Sequence, residues 1–298
     1  MEKKANHAGL LYLFLTFFMW GSIYVAGKLG SAQMSPFLLA ALRCTVAAPV
    51  LLLMARDHLH IKIDREDWKY FAAIGLLGYY TTIDLVQLGI HLTGASVAAL
   101  VNSFNPVVIM LLAAVLLHEK ITPVKLLCLG LAMAGTLIVA GGANGQGELL
   151  GILATLLATV TWGTASVFVR KMTAKYPAIL VTAYAMLMSL PLHIPTGIVA
   201  ALRQPPVVDL RGVLTVLYLA LVGSAFSQIT WAKALSQYPA STCSLFYPLQ
   251  PIFSALLGSI ILQEHFTPSF FLGLLFVAAD VAISTWAMRR EAETTQQP

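Results

Sequence analysis

The chain has 298 residues, of which 58% are apolar and only 10% are charged. A soluble domain carries about 25% charged residues, so this composition excludes an ordinary water-soluble enzyme or regulator and indicates a helical membrane protein. The formal net charge of +5 does not call for a nucleic-acid partner, because an excess of Lys and Arg in a membrane protein usually reflects the charge bias of its loops.

Apolar runs separated by short polar breaks predict ten membrane-spanning helices. Each run is close to the ~20 residues that cross about 30 Å of hydrocarbon, where backbone groups must be bonded within the segment. The first run is long enough to span, so we interpret it as a helix and not as a signal peptide. The predicted spans are 9–27, 36–55, 68–90, 94–117, 123–141, 149–170, 177–201, 211–235, 240–263 and 268–288.

The distribution of Lys and Arg predicts that both termini lie in the cytoplasm. With the N-terminus inside, the outer segments hold only Lys28, Arg203 and Arg211, and the other Lys and Arg residues outside the predicted spans fall on the inner side. Positive residues are enriched in cytoplasmic loops. We therefore expect a multi-pass protein of a cell membrane, most simply the bacterial inner membrane.

Polar and aromatic residues within the early spans are candidates for a substrate site. Polar side chains are costly in lipid, so they should face a cavity or one another. Asp84 is the sharpest candidate, because a lone carboxylate lies well inside a span; it could bind an amino group, carry a proton, stay protonated, or pair structurally with Arg43. The candidates are Trp20 and Tyr24 in span one, Tyr79, Tyr80 and Asp84 in span three, and Asn102 in span four.

The later spans carry a similar set of polar and aromatic residues. Aromatic walls suit aromatic or amphipathic solutes and cations, through ring stacking and cation–π attraction. The alternative is ordinary packing, with polar groups bonding between helices. The candidates are Trp162 in span six, Gln228 and Trp231 in span eight, and Tyr247 and Gln250 in span nine.

One stretch of the chain occurs twice. Residues 106–123 read PVVIMLLAAVLLHEKITP, and residues 251–268 read PIFSALLGSIILQEHFTP. Each copy ends in Glu-x-x-Thr-Pro, which is typical of a helix end, a tight turn, a Thr N-cap and a Pro at the first helical position. The segment Trp20-Gly21-Ser22 likewise has an equivalent in the second half, Trp162-Gly163-Thr164. The chain is therefore predicted to contain two copies of one unit.

Two units of five spans each must be oppositely oriented, because five is an odd number. Inverted repeats place a substrate site near the membrane midplane and work by alternating access. We predict a first five-helix repeat at 1–141, a linker at 142–148, a second repeat at 149–290 and a cytoplasmic tail at 291–298.

Five residues are interpreted as structural or gating residues. Glu119 and Glu264 end the fourth helix of each unit, at the inner and outer face respectively, where they could cap a turn or pair across a gate. Pro106 and Pro251 should start or bend their helices, and the polar residue before each Pro can bond backbone groups freed by the bend. Arg43 is assigned a structural pairing, with binding of a substrate carboxylate as the alternative.

Residues of both halves carry a family resemblance. They are Trp20-Gly21-Ser22 with Tyr24 and Lys28, Pro36 with Arg43, Ala95-Ser96 leading to Pro106 and Glu119, and the second copy of most of these. In these features the chain resembles the EamA branch of the drug/metabolite transporter superfamily. The resemblance implies an export-type carrier of ten helices, with a cavity lined mainly by the first, third and fourth helices of each unit.

The resemblance does not extend to one known mechanism of that superfamily. Its four-helix multidrug members use a Glu in the first helix for proton-coupled export of cations, whereas spans one and six here carry no acidic residue. Any proton coupling must therefore use another group.

The sequence predicts a secondary transporter that exports small metabolites, most simply amino acids or related amphipathic solutes, by alternating access. The alternatives are a multidrug or organic-cation exporter of the same fold and a non-transporting scaffold. HExxH, GxSxG and nucleotide-binding glycine motifs are absent from the sequence, so we expect no enzyme activity, cofactor or metal. The expected partners are a small-molecule substrate and the lipid bilayer, with protons as a further candidate. The oligomeric state is left open, as is a functional or structural role for Asp280.

Overall fold

A computed structural model describes residues 7–30, 33–93, 95–102, 104–141, 149–261 and 268–294, and the regular structure within these ranges is helical. In the first half of the chain the helices are α1 (His7–Gly30), α2 (Pro36–Ala55, continued by a 3₁₀ turn at Arg56–His58), α3 (Trp68–Thr93), α4 (Ala95–Asn102), α5 (Asn105–Leu117) and α6 (Pro123–Gly141). In the second half they are α7 (Leu149–Thr173), α8 (Ala178–Arg203), α9 (Leu210–Gln237), α10 (Ala240–Ser244), α11 (Leu249–Ile261) and α12 (Pro268–Thr294).

Seven helical stretches in the described ranges are long and apolar enough to cross a membrane. Shorter apolar helices lie at Asn105–Leu117, Pro123–Gly135 and Phe271–Ala287. An all-helical, multi-pass membrane protein is therefore confirmed, while the number of ten spans in two inverted repeats stays a prediction.

The predicted spans 94–117 and 240–263 are not uninterrupted α-helices, although Ala240–Ile261 is among the stretches long and apolar enough to cross a membrane. α4 ends at Asn102 and α5 begins at Asn105, while α10 ends at Ser244 and α11 begins at Leu249. Pro106 and Pro251 lie in the first turns of α5 and α11, because proline lacks the N–H that a helix interior requires. The Asn105 Nδ2 donates to the carbonyl oxygen of Asn102 at 2.7 Å, which satisfies a backbone group at the break.

Two helices contain wider, π-helical turns at residues 74–81 of α3 and 221–226 of α9. In α3 the hydroxyl of Thr82 donates to the carbonyl oxygen of Leu77 at 2.7 Å. Such turns are rare and often mark functional positions. Each lies in the third long helix of its half of the chain.

Helices at equivalent positions in the two halves make equivalent contacts with the opposite half. α1 packs against α9 and α11 of the second half, and α7 packs against α3 and α5 of the first. α2 packs against α8, and α6 against α12. The main buried cluster accordingly draws residues from both halves, including Phe17 and Trp231. A site at the centre of this core is therefore built from both halves.

Candidate functional site

A cavity of about 70 Å³ lies in this shared core, with room for a few water molecules. The breaks between α4 and α5 and between α10 and α11 bring side chains into its wall, in keeping with the tendency of irregular membrane backbone to line cavities. Seven predicted substrate-binding residues line it: Trp20, Tyr24, Asn102, Trp162, Gln228, Tyr247 and Gln250.

Aromatic rings form one wall of the cavity. The rings of Trp20 and Trp162, which occupy equivalent positions in the two halves, meet edge to face with centroids 5.4 Å apart. Trp20 also lies 5.9 Å from the ring of Tyr247, whose hydroxyl accepts a hydrogen bond from the indole N–H of Trp162. Trp231 lies behind this wall, 5.3 Å from Trp20 and 1% exposed. The ring faces give this wall an aromatic surface suited to contact with a flat or aliphatic group.

Polar groups lie on the remaining wall. The Tyr24 hydroxyl is within hydrogen-bonding reach of the side chains of Asn102 and Gln250. Gln228 is buried, and its Oε1 has no hydrogen-bond partner among the described residues. Because a buried acceptor without a partner is costly, this oxygen is suited to accept a hydrogen bond from a solute in the cavity.

Arg43 of α2 also lines the cavity, although the sequence assigned it a structural role. Its Nε donates to the Ser224 hydroxyl at 2.8 Å, and its Nη2 donates to the carbonyl oxygen of Gly223 at 2.9 Å. Both acceptors lie in the π-helical turns of α9. The hydrogen bonds of Arg43 in the described structure therefore go to α9 and not to Asp84, the partner considered from the sequence. Among the described residues that line the cavity, Arg43 is the only one with a charged side chain. The signal available in the sequence was a single cation in the middle of a span.

Asp84, Tyr79 and Tyr80 lie on other faces of α3. Residues 78, 82, 83 and 86 of this helix line the cavity, whereas Asp84 is turned towards α8. There its Oδ1 lies 3.8 Å from Nδ1 of His193, and the Tyr80 ring lies 5.0 Å from that imidazole. Tyr79 is 1% exposed and packs 6.4 Å from Trp162. The wider turns of α3 shift the helical register, which periodicity in the sequence does not reveal.

Glu119 connects the two halves at one end of the molecule. α5 ends at Leu117, and the following His118 takes a left-handed backbone conformation (φ 55°). The Glu119 carboxylate accepts from the backbone N–H groups of Ala240 and Ser241 at 2.9 and 3.0 Å and from the Ser241 hydroxyl at 2.5 Å. It therefore caps α10 of the other half. Its predicted counterpart Glu264 lies outside the described residues.

Lys125 of α6 completes this contact. Its Nζ donates to the Ser241 hydroxyl at 2.9 Å and to the carbonyl oxygen of Lys120 at 3.2 Å. Glu119, Ser241 and Lys125, termed here the α10 clasp, hold the start of α10 against the first half of the chain.

Known proteins resemble the chain over nearly all of its length. The model of the EamA-like transporter family matches residues 7–141 and again 149–286. An "Uncharacterized transporter" of Archaeoglobus fulgidus is 27% identical over 263 residues, covering 86% of this chain and 91% of that protein. A "Probable amino-acid metabolite efflux pump" of Escherichia coli (strain K12) is 26% identical over 306 residues, covering 97% of each.

A solved crystal structure has the same fold. It superposes with a TM-score of 0.78 at 21% identity, covering 96% of this chain and 99% of that one. The two family matches confirm the resemblance predicted from the sequence. The chain therefore belongs to the EamA-like transporter family, and it is a multi-pass membrane transporter of small molecules.

Proposed function

We propose that this transporter exports small amphipathic solutes bearing a carboxylate, amino acids or close relatives of them, across a bacterial cell membrane. The observation that carries the proposal is the combination of one cation, Arg43, with aromatic rings around the same cavity. The name of the Escherichia coli relative, an amino-acid metabolite efflux pump, supports the same class of substrate.

Arg43 is suited to hold a carboxylate. A guanidinium carries five N–H donors, and two of its nitrogens are occupied by Gly223 and Ser224. The remaining donors match the geometry of a carboxylate, and such charge-assisted bonds are the stronger ones. Gln228 Oε1 supplies an acceptor for an ammonium group, while the rings of Trp20, Trp162 and Tyr247 supply an apolar surface. A zwitterion with an apolar side chain uses all three features.

The mechanism we propose is alternating access by two inverted five-helix units, 1–141 and 149–290, joined by 142–148. The equivalent contacts of α1 with α11 and of α7 with α5 support it. When two units make equivalent contacts, each unit can adopt the conformation of the other, which reverses the side on which the cavity opens. The α10 clasp would hold one end of the cavity closed while the other end is open. On the predicted orientation this closed end is cytoplasmic.

An organic-cation exporter is the second candidate, because the aromatic wall favours cations through their attraction to ring faces. The charge of Arg43 opposes it, since a cation in the cavity would lie beside a buried guanidinium. The two candidates therefore differ in the charge that the cavity accepts.

Counterflow in proteoliposomes tests the choice. Vesicles containing the full chain are preloaded with an unlabelled amino acid, and entry of the labelled compound is compared with entry of its methyl ester and of its decarboxylated amine. We expect saturable exchange of the acid, and exchange at least about tenfold weaker for the ester and amine, because hydrogen bonds to a charged group contribute ~1.5–3 kcal/mol. Protein-free vesicles are the control.

Two results would contradict the proposal. Exchange of the amine at or above the rate of the acid would identify a cation exporter. Absence of exchange with every amino acid pool, in protein shown to be inserted and folded, would move the function to another solute class or to a scaffold.

A further inference from the structure

A buried acid and a buried histidine face each other between the two halves. The side chain of Asp84 in α3 is 7% exposed and that of His193 in α8 is 0% exposed. The Oδ1 of Asp84 and the Nδ1 of His193 are 3.8 Å apart, too far for a hydrogen bond. Neither atom has a hydrogen-bond partner among the described residues. Two polar atoms are thus buried next to each other without being satisfied.

The other ring nitrogen determines the tautomer of His193. Its Nε2 lies 2.9 Å from the carbonyl oxygen of Tyr79. A carbonyl oxygen only accepts, so Nε2 must carry the hydrogen. In the neutral imidazole the lone pair then lies on Nδ1 and faces the carboxyl group. A deprotonated Asp84 would place two acceptors opposite each other in an apolar setting, whereas one added proton supplies the missing donor.

We propose that Asp84 and His193 form a proton-binding site, and that transport through the neighbouring cavity is coupled to the proton that this pair takes up and releases. With the proton bound, the pair is neutral, either as carboxylic acid and imidazole or as carboxylate and imidazolium. When the proton leaves, one negative charge remains in the core. That state is costly unless the helices move to let water or a donor reach Asp84.

The charged and titratable groups facing the pair do not replace the proton. α2 contributes Arg43, whose charge acts on His193, and Cys44, which lies close to Asp84. The assigned bonds of Arg43 go to Gly223 and Ser224 of α9, not to Asp84. α3 itself contributes Tyr79 and Tyr80.

The other helices around the pair add little charge. α1 contributes Tyr24, on the cavity side. α4 has no titratable residue in its sequence, and α7 has none before its last turn. The part of α9 that packs against α8 lies within residues 227–237. It carries Ser227 and Gln228, and its one charged residue, Lys233, places its Nζ 5.2 Å from the ring of Tyr12 in α1. None of these described groups is assigned a hydrogen bond to Asp84 Oδ1 or His193 Nδ1, so an added proton is what supplies the pair with a donor.

The site is connected to the cavity through α3 and Arg43. Asp84 follows Thr82 and Ile83, which line the cavity, and the Tyr79 carbonyl bound by His193 follows the cavity-lining Gly78 in the wider turns of α3. Arg43 lines the cavity and acts electrostatically on His193. A change in the protonation of the pair thus alters the forces on α3 and on Arg43, both of which line the cavity.

The proton site can be tested without any substrate. Infrared difference spectra of the reconstituted full chain are recorded between acidic and alkaline pH, following the carboxylic-acid C=O band and the imidazolium ring bands. We expect one titrating feature that is lost in both Asp84→Asn and His193→Gln. It should persist in Asp280→Asn, which changes another buried acid, in α12. A difference spectrum that neither Asp84→Asn nor His193→Gln alters would overturn the site.

The coupling rests on the proposed transport function and is tested separately. If one proton accompanies or opposes each substrate, the accumulation ratio of the wild type changes about tenfold per pH unit of gradient. In Asp84→Asn and His193→Gln the ratio should become independent of the gradient while counterflow continues, and Asp280→Asn should behave as the wild type. Wild-type accumulation that ignores the gradient would overturn the coupling. Absence of counterflow would instead count against the proposed substrate, and the infrared result would still decide the proton site.

Discussion

Two side chains, Arg43 and His193, each bond a backbone carbonyl oxygen of the opposite half of the molecule. Arg43 on α2 donates to the carbonyl oxygen of Gly223, in the π-helical turns of α9. His193 on α8 bonds the carbonyl oxygen of Tyr79, in the π-helical turns of α3. In both cases the second long helix of one half meets the widened third helix of the other half. The two side chains differ in what their other nitrogen contacts.

The difference lies in the partner of the second nitrogen. Arg43 finds a neutral hydroxyl, Ser224, and its guanidinium stays charged beside the cavity. His193 finds a carboxyl group that it does not reach, so its pair with Asp84 depends on a proton. Similar architecture thus yields a fixed cation on one side and a titratable pair on the other. Substitutions that remove one side and leave the other intact can test this division.

Arg43→Gln should have the largest effect on transport. It removes the only charge among the described residues lining the cavity, so the apparent affinity for a carboxylate solute should fall about tenfold to a hundredfold. Competition by the methyl ester should change little, because the ester makes no ionic contact. Arg43→Lys, which keeps the charge but lacks the fork of donors, should lie between the two. The measurement is concentration-dependent counterflow; equal losses for acid and ester would mean that Arg43 only holds α9 in place.

Gly21 and Gly163 extend the comparison to packing. They occupy equivalent positions in α1 and α7, and a Cβ at either would collide with a helix of the other half. At Gly21 it would lie 2.6 Å from the Phe253 Cβ and 2.9 Å from the backbone oxygen of Gln250. At Gly163 it would lie 2.7 Å from a Val108 methyl group, which a rotation can move.

Gly21→Ala should therefore destabilise the protein by about 1–3 kcal/mol, the usual cost of overpacking. Gly163→Ala should cost less, because the Val108 methyl group can rotate away whereas the backbone of Gln250 cannot. Both variants gain the same helix propensity of alanine, about 1 kcal/mol. Thermal unfolding of the two variants in one detergent compares them directly. A lower unfolding temperature for Gly163→Ala than for Gly21→Ala would contradict this order.

The smallest effect is expected at Asp67, an acid that contrasts with Asp84 in having its donors in place. Its carboxylate, just before α3, accepts from Lys175 Nζ at 2.9 Å and from the Tyr176 hydroxyl at 2.8 Å. The Lys175 hydrogen bond lowers the pKa of the Asp67 carboxyl below its ordinary value, and the same bond raises the pKa of Lys175. Lys175 is 52% exposed, so solvent weakens the pair.

A lowered carboxyl pKa contributes stability that is present above the ordinary pKa of about 4 and is lost as the pH falls through the lower, folded-state value. Unfolding temperatures measured from neutral to acidic pH should therefore decline below about pH 4, and the decline should be shallower in Asp67→Asn. Glu66→Gln is a matched control that removes a neighbouring carboxylate outside the pair of Asp67 with Lys175. An identical slope for wild type and Asp67→Asn would show that the pair adds nothing.

Local sequence features determined much of the fold. The apolar composition and the spacing of polar breaks are sufficient to predict a helical membrane protein. The predicted span 36–55 begins where α2 begins, at Pro36, and in the structure the Ser35 hydroxyl caps this helix by accepting from the N–H of Leu38 at 3.4 Å. Pro106 and Pro251 mark the places where two predicted spans break, since the effect of proline on a helix is local.

Local sequence features did not reveal which residues of a helix face the cavity. Asp84 and Thr82 are two residues apart, but Thr82 lines the cavity and Asp84 meets His193, more than a hundred residues away in sequence. Periodicity assumes a regular helix, and the π-helical turns of α3 and α9 alter that register.

By itself, therefore, the sequence determined the class of protein, its family and most of the aromatic and amide residues of the cavity, because apolar content, proline, glycine and capping residues act over a few positions of the chain. Only the tertiary structure decided that Arg43 belongs to the cavity, that Asp84 belongs to a buried pair with His193, and that Glu119 caps α10. Those contacts join the two halves, and their geometry depends on how whole helices pack against each other.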